Sequence, residues 1–121
     1  MNRVMVFGVF DGLHEGHQFF LKKSGATIVV VARDSVAQSL KNKKPVLDEK
    51  KRTEAIKRFL PDATVVLGDT EQGSYEVIKT HRPNVIALGH DQQKLAEDLQ
   101  EKIAAGRMPK IQLKWITFLV L

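Results

Sequence analysis

Five short apolar runs punctuate the chain, with polar segments of helical period between them. The first is Val4-Met5-Val6-Phe7, carried on through Gly8-Val9-Phe10. The others are Ala26–Ala32, Ala63–Leu67, Asn84–Leu88 and a stretch from Ile111 onward. Their composition is that of strands buried on both faces. Between them, Glu15 to Ser24 reads as a short helix with Gly25 as its C-cap. Asp34 or Ser35 opens a helical turn through Ser39, and Leu40 to Pro45 is a basic loop. Asp48 to Leu60 is a stronger helix: Asp48 and Glu49 stand at its start, Ile56, Phe59 and Leu60 give it an apolar face, and Pro61 stops it. Tyr75, Val77 and Ile78 mark a helix ending near His81-Arg82-Pro83. Lys94 to Ala105 forms the last, with Leu95, Leu99 and Ile103 inward and Gly106 as its cap.

Strands alternating with helices at this rhythm predict an α/β domain built on an open parallel sheet with helices on both faces. No linker, repeat or low-complexity tract interrupts it, so residues 1–121 read as a single domain. Sites in such sheets lie beyond the strand C-termini, where the strand order reverses. Four polar turns follow strands, Phe10–His17, Arg33–Pro45, Gly68–Gly73 and Gly89–Gln93, and all four are expected on that rim.

Composition narrows the chemistry. The absence of cysteine excludes disulfides, thiol catalysis and thiolate metal sites. Neither a leader nor a membrane-length apolar stretch is read, so a soluble, cytoplasmic protein with no membrane contact is expected. The net charge of +5 is local, because residues 41–58 hold eight Lys or Arg against three acids. Such a patch suits nucleotide phosphates or nucleic acid, or is a solvated face; without interleaved aromatics, nucleic acid is the unlikely partner. Trp115–Leu121 is almost wholly apolar and must be covered. Either the chain is cut short there or an oligomer interface lies there.

The densest chemistry is in residues 3–17, RVMVFGVFDGLHEGH. Gly8 and Gly12 remove side chains where the strand turns into a loop. A helix starting near His14 would put His14 and His17 on one face. Its free N–H groups and dipole would favour a phosphate. Imidazoles there suit transfer at phosphorus, with hydrogen bonds that strengthen as charge develops, while lysines neutralise a polyphosphate. A helix cap, a packing role and a zinc site are the alternatives for these two histidines; no HExxH run accompanies them. His81 reads as a helix-end residue, and His90 stands on the rim. The dinucleotide fingerprint and a Walker GK[ST] are both missing.

Gly8-Val9-Phe10-Asp11-Gly12-Leu13-His14-Glu15-Gly16-His17 resembles the GxFDxxHxGH motif of the cytidylyltransferase-like nucleotidyltransferases. Val31-Ala32-Arg33-Asp34, Lys43-Lys44-Pro45-Val46, Arg52-Thr53 and Leu88-Gly89-His90-Asp91-Gln92 follow in the order that family shows. The likeness runs from Arg3 to about Leu113. It is greatest to archaeal-type FAD synthases, then to glycerol-3-phosphate cytidylyltransferases. It implies a Rossmann-like sheet in order 3-2-1-4-5, usually a homodimer. The activity implied is transfer of a nucleotidyl group from ATP or CTP, with Mg²⁺, to a small phosphorylated acceptor such as FMN, releasing pyrophosphate. His14, His17 and Lys44 (or Lys43) take the catalytic positions in that resemblance. Gly8, Val9, Phe10, Asp11, Gly16, His17, Gly89, Asp91 and Gln92 take the nucleotide side, and Arg33, Asp34 and Arg52 the acceptor side. Three features depart from it: a short first helix, His90 in place of a tyrosine, and no counterpart of the late ISTTxxR-like motif before Leu121. A catalytically impaired nucleotide-binding or assembly module is the alternative these departures imply.

Overall fold

The computed structural model describes residues 2–71 and 73–117. Ten elements alternate as expected: β1 (Val4–Gly8), α1 (Glu15–Ser24), β2 (Ile28–Val31), α2 (Asp34–Lys41), α3 (Glu49–Phe59), β3 (Thr64–Leu67), α4 (Glu76–His81), β4 (Val85–Leu88), α5 (Gln93–Ala104) and β5 (Gln112–Trp115). The strands form one sheet in order β3-β2-β1-β4-β5, every neighbouring pair parallel. β1 is central, and the order reverses between its two neighbours. The crevice for a ligand therefore opens beyond Gly8.

β-branched residues place the core on both faces of the sheet, as helix-covered parallel strands require. All four residues of β2 are buried. On one face Met5, Val30, Ile86 and Leu88 pack against Ile78 of α4 and Ala96 and Leu99 of α5. On the other, Val6, Val29, Val31 and Ala87 pack against Leu21 of α1 and Ile56 of α3. Local signals close the helices. Gly25 ends α1 in the left-handed region at φ 67°, its N–H donating to Lys22 O. Asp48 caps α3, its carboxylate accepting from Lys51 N.

Two expectations change. The helical turn after β2 does not stop at Ser39: α2 runs on to Lys41, and Asn42 closes it in the left-handed region. Leu40 and Lys41 are therefore helical, and the loop is shorter. Neither Asp34 nor Ser35 caps α2; Arg33 is the N-cap residue and makes no side-chain cap bond. The last strand is also less buried than its composition suggests. Gln112, Lys114 and Trp115 are exposed along an edge strand, while Ile116 is buried on the α1 and α3 face. Residues 118–121 of the apolar stretch lie outside the described residues.

Candidate functional site

The rim beyond β1 is shaped by an aromatic ring folded back on a glycine. Phe10 sits at φ 55°, and Gly12 and Leu13 also have positive φ, so the chain reverses tightly after the strand. The Phe10 ring is 4% exposed. A Cβ on Gly8 would lie 2.6 Å from its Cζ, so any side chain there would have to displace the ring. The same ring meets His17 in a T-shaped contact, centroids 5.6 Å apart at 77°.

His14 is the N-cap of α1, and its Nδ1 accepts from Gly16 N at 3.1 Å. The cap role and a ligand role are compatible. An accepting Nδ1 puts the proton of the neutral ring on Nε2, as a fixed donor. His17 stacks on that ring, centroids 3.7 Å apart at 22°. Its Nδ1 is buried with no hydrogen-bond partner. Burial, then the neighbouring His14 and Lys41, hold its pKa below the usual imidazole value, against a smaller pull from Asp91 and Asp11. The ring is thus neutral near pH 7. Orphaned buried acceptors are commoner than orphaned donors, so the proton belongs on Nε2. Two Nε2–H donors then stand at the start of α1, whose first-turn N–H groups include some without intrahelical acceptors. An imidazole N–H donor at a helix start fits a phosphate, with its surplus of acceptor oxygens.

A second layer ties the loop after α2 to this turn. The Asp11 carboxylate accepts from Val46 N at 2.8 Å and Leu47 N at 2.9 Å. These backbone bonds, Leu47's foremost, hold its pKa below the ordinary carboxylate value, with Arg52 and Lys43 assisting against partial desolvation. The loop is thereby fastened over the rim with Lys43 and Lys44 exposed on it.

Arg52, placed by the resemblance on the acceptor side, is fully buried. Its guanidinium donates to Leu47 O, Val9 O, Ala32 O and the Asp34 carboxylate, the last at 2.7 Å. With these donors committed, its place is that of a strut joining the ends of β1 and β2 to the loop. Asp34 is held by that ion pair, and its N–H donates to Glu49 Oε1. Arg33 donates from Nε to Gly68 O at 2.7 Å, joining the second and third turns.

The fourth turn is fixed by Gln92. Its Oε1 accepts from Gly89 N and its Nε2 donates to Phe7 O, so one amide clamps the end of β4 to β1. Gln92 thus positions the turn, while His90 and Asp91 are exposed on it. Lys41 lies 4.0 Å from Asp91. The eight residues of α2 rise about 12 Å. The gap from β2 to β4 is two strand spacings, about 10 Å. α2 therefore crosses the rim past the end of β1, and does not cover a face of the sheet.

The geometry brings Gly8, Val9, Phe10, Asp11, His14, Gly16 and His17 together around the start of α1. Arg33 and Asp34 lie beside them at the end of β2, and Gly89, Asp91 and Gln92 at the end of β4. Glu49 and Lys41 were not singled out from sequence. Glu49 reads there only as a first-turn acid, and Lys41 only as one charge of a patch.

A parallel sheet whose central strand ends in two stacked imidazoles at a helix start is an α/β domain with a rim chemically suited to an anion. Comparison with known proteins agrees: residues 5–114 match the cytidylyltransferase-like family. The FAD synthase of Methanosarcina barkeri is 37% identical over 113 residues, covering 90% of this chain and 79% of that protein. The FAD synthase of Pyrococcus horikoshii is 40% identical over 107 residues, covering 84% and 71%. Among solved structures, the lipopolysaccharide core biosynthesis protein from Thermoplasma volcanium is 34% identical with a TM-score of 0.85, covering 99% of both chains. The chain belongs to the cytidylyltransferase-like nucleotidyltransferase family and is closely related to archaeal FAD synthases.

Proposed function

We propose that this protein transfers a nucleotidyl group from ATP or CTP to the phosphate of a small acceptor, with FMN the first candidate, releasing pyrophosphate. The stacked His14 and His17 at the α1 N-terminus carry this reading. An acceptor phosphate oxygen attacks the α-phosphorus in line. The new P–O bond forms as the bond to the β-phosphate oxygen breaks, and pyrophosphate leaves with that electron pair. His14 and His17 donate from Nε2 to α-phosphate oxygens, and their bonds strengthen as charge grows in the transition state. Lys44, with Lys43, neutralises the polyphosphate from the loop that Asp11 fastens. Arg33, whose Nε is anchored on Gly68 O, keeps its two terminal nitrogens for the acceptor phosphate.

Mg²⁺ enters with the nucleotide in this scheme. Among the described residues no group of three or more His, Asp or Glu side chains gathers as a metal cage. Both Asp11 oxygens accept from backbone N–H groups. The phosphates would supply ligands to the ion, which would offset the charge of the departing pyrophosphate.

Archaeal FAD synthases favour ATP and FMN in this reading. The Thermoplasma volcanium protein, named for lipopolysaccharide core biosynthesis, favours a second, in which the acceptor is a sugar or polyol phosphate. Incubation with α-³²P-labelled ATP or CTP, Mg²⁺ and FMN, glycerol 3-phosphate or a hexose phosphate separates them. Label is expected in a product formed with FMN and ATP. Label with glycerol 3-phosphate or the hexose phosphate alone selects the second reading, and no labelled product from any pair refutes transfer.

A further inference from the structure

Helices α4 and α5 share the sheet face opposite α1 and α3. A cleft of about 190 Å³ opens between them. Tyr75, Ile78 and Lys79 wall it from one side, and Lys102, Arg107 and Met108 from the other. Arg107 and Met108 precede β5 in a parallel sheet, so they stand at the strand N-termini, away from the rim that carries His14 and His17.

Charge sets what the cleft can take. Among the described residues, the charged side chains that line it are Lys79, Lys102 and Arg107, all cationic. Two carboxylates stand beside them: Asp98 accepts from Lys102 at 2.8 Å, and Glu76 lies 3.4 Å from Lys79. Each offsets one lysine. Arg107 is exposed, and its guanidinium has no hydrogen-bond or ion-pair partner among the described residues, so it is the surplus charge. A guanidinium fork matches the paired oxygens of a phosphoryl group. Lys102 is the deeper cation, its side chain 26% exposed, and with one N–H on Asp98 it keeps others to donate.

Tyr75 is a fixed wall. It stands at φ 53°, in the left-handed region that a bulky residue rarely adopts. Its hydroxyl donates to Asp98 at 2.6 Å, and its ring makes a T-shaped contact with Phe7, centroids 6.4 Å apart. Lys102 Nζ lies 5.4 Å from the centroid of the same ring. Burial, then Asp98, push the Tyr75 pKa up, so the hydroxyl stays protonated and brings no negative charge to the cleft.

We propose that the α4–α5 cleft is an anion site separate from the rim, which takes a phosphoryl group among Arg107, Lys102 and Lys79. The proposal is independent of the transfer reading above. Apolar Ile78 and Met108 complete the wall, so a phosphate monoester with a small organic part fits as well as inorganic phosphate.

Tyr75 is the only tyrosine in the chain, so its ring signals report on the cleft. The intact protein, carrying ring-¹³C tyrosine, is titrated with inorganic phosphate and with glycerol 3-phosphate, against sodium chloride at equal ionic strength. A saturable shift of the tyrosine NMR signals is expected with the phosphates and none with chloride. Tighter saturation by inorganic phosphate makes the free ion the occupant; tighter saturation by glycerol 3-phosphate makes it the monoester. Arg107→Ala should weaken the affinity on the order of tenfold and leave the unliganded tyrosine signals in place. Lys79→Ala, at a second exposed side chain, should weaken it less, because Glu76 already shares that charge. His17→Ala should titrate as the wild type does, because the sheet separates the two places. The proposal is overturned by no saturable shift, by saturation only at tens of millimolar (an adventitious ion only), by an unchanged affinity in Arg107→Ala, or by loss of the shift in His17→Ala. None of these outcomes touches the transfer reading.

Discussion

The rings of His14 and His17 lie face to face with centroids 3.7 Å apart, and the His17 Nδ1 is buried without a partner. The pair holds two imidazoles close enough to resist sharing positive charge, in a place suited to an anion. The free protein carries this arrangement as a pH dependence. Burial, then His14 and Lys41, lower the His17 pKa below its ordinary 6.5. The unfolded chain therefore binds more protons than the folded one between that lowered value and 6.5. Stability rises with pH across the window, is fully present above 6.5, and is lost as pH falls through the folded value. Chemical denaturation at a series of pH values should show this slope in wild type and a shallower one in His17→Gln. Identical slopes would contradict the neutral, buried assignment.

Gly8→Ala should destabilise the protein by about 1–3 kcal/mol, the usual range for overpacking. Its Cβ would stand 2.6 Å from the Phe10 ring, which is 4% exposed and in T-shaped contact with His17. Shrinking that ring in Gly8→Ala/Phe10→Leu should recover part of the loss in thermal melts. An alanine variant as stable as wild type would mean that the ring has somewhere to go.

Arg52→Ala should cost about 3 kcal/mol, at the lower end for breaking a buried ion pair. The Asp34 side chain is 39% exposed and can rehydrate, whereas three backbone carbonyls lose a donor. The melting temperature should fall on the order of 10 °C. Arg52→Lys keeps the charge but loses the fork, and should rescue little. Full rescue by lysine would argue that charge alone matters there.

The sheet and the site were unequally legible. The β-branched runs at Ile28–Val31, Thr64–Leu67 and Val85–Leu88 announce buried strands, and Asp48 and Gly25 announce helix ends, because these signals are local. The strand order was implied by the resemblance of Gly8–His17 to a family motif. Arg52 shows what local reading misses. Counted among the basic residues of 41–58, it reads as a surface charge by composition. Yet it stands four before Ile56, on the apolar stripe of α3, and that offset was the available signal. Gln92 and Asp11 gave none, because their partners Phe7, Val46 and Leu47 are supplied by tertiary contact.

Lys44→Ala should weaken nucleotide binding and leave folding unchanged, since the side chain is exposed on a loop fastened through backbone N–H groups. Removing one exposed cation near a polyphosphate should raise the dissociation constant several-fold at low salt, and less as salt screens it. Calorimetry at two ionic strengths checks this. An affinity unchanged at low salt would remove Lys44 from the phosphate site.

The central claim is that His14 and His17 stabilise charge developing on an α-phosphorus. Pyrophosphate release from ATP and FMN, with Mg²⁺ at saturating nucleotide, tests it most directly in wild type and His17→Ala side by side. The account predicts release by the wild type and a fall in kcat of roughly 100-fold or more in the variant, with nucleotide affinity changed far less. Equal turnover in the two proteins would contradict it.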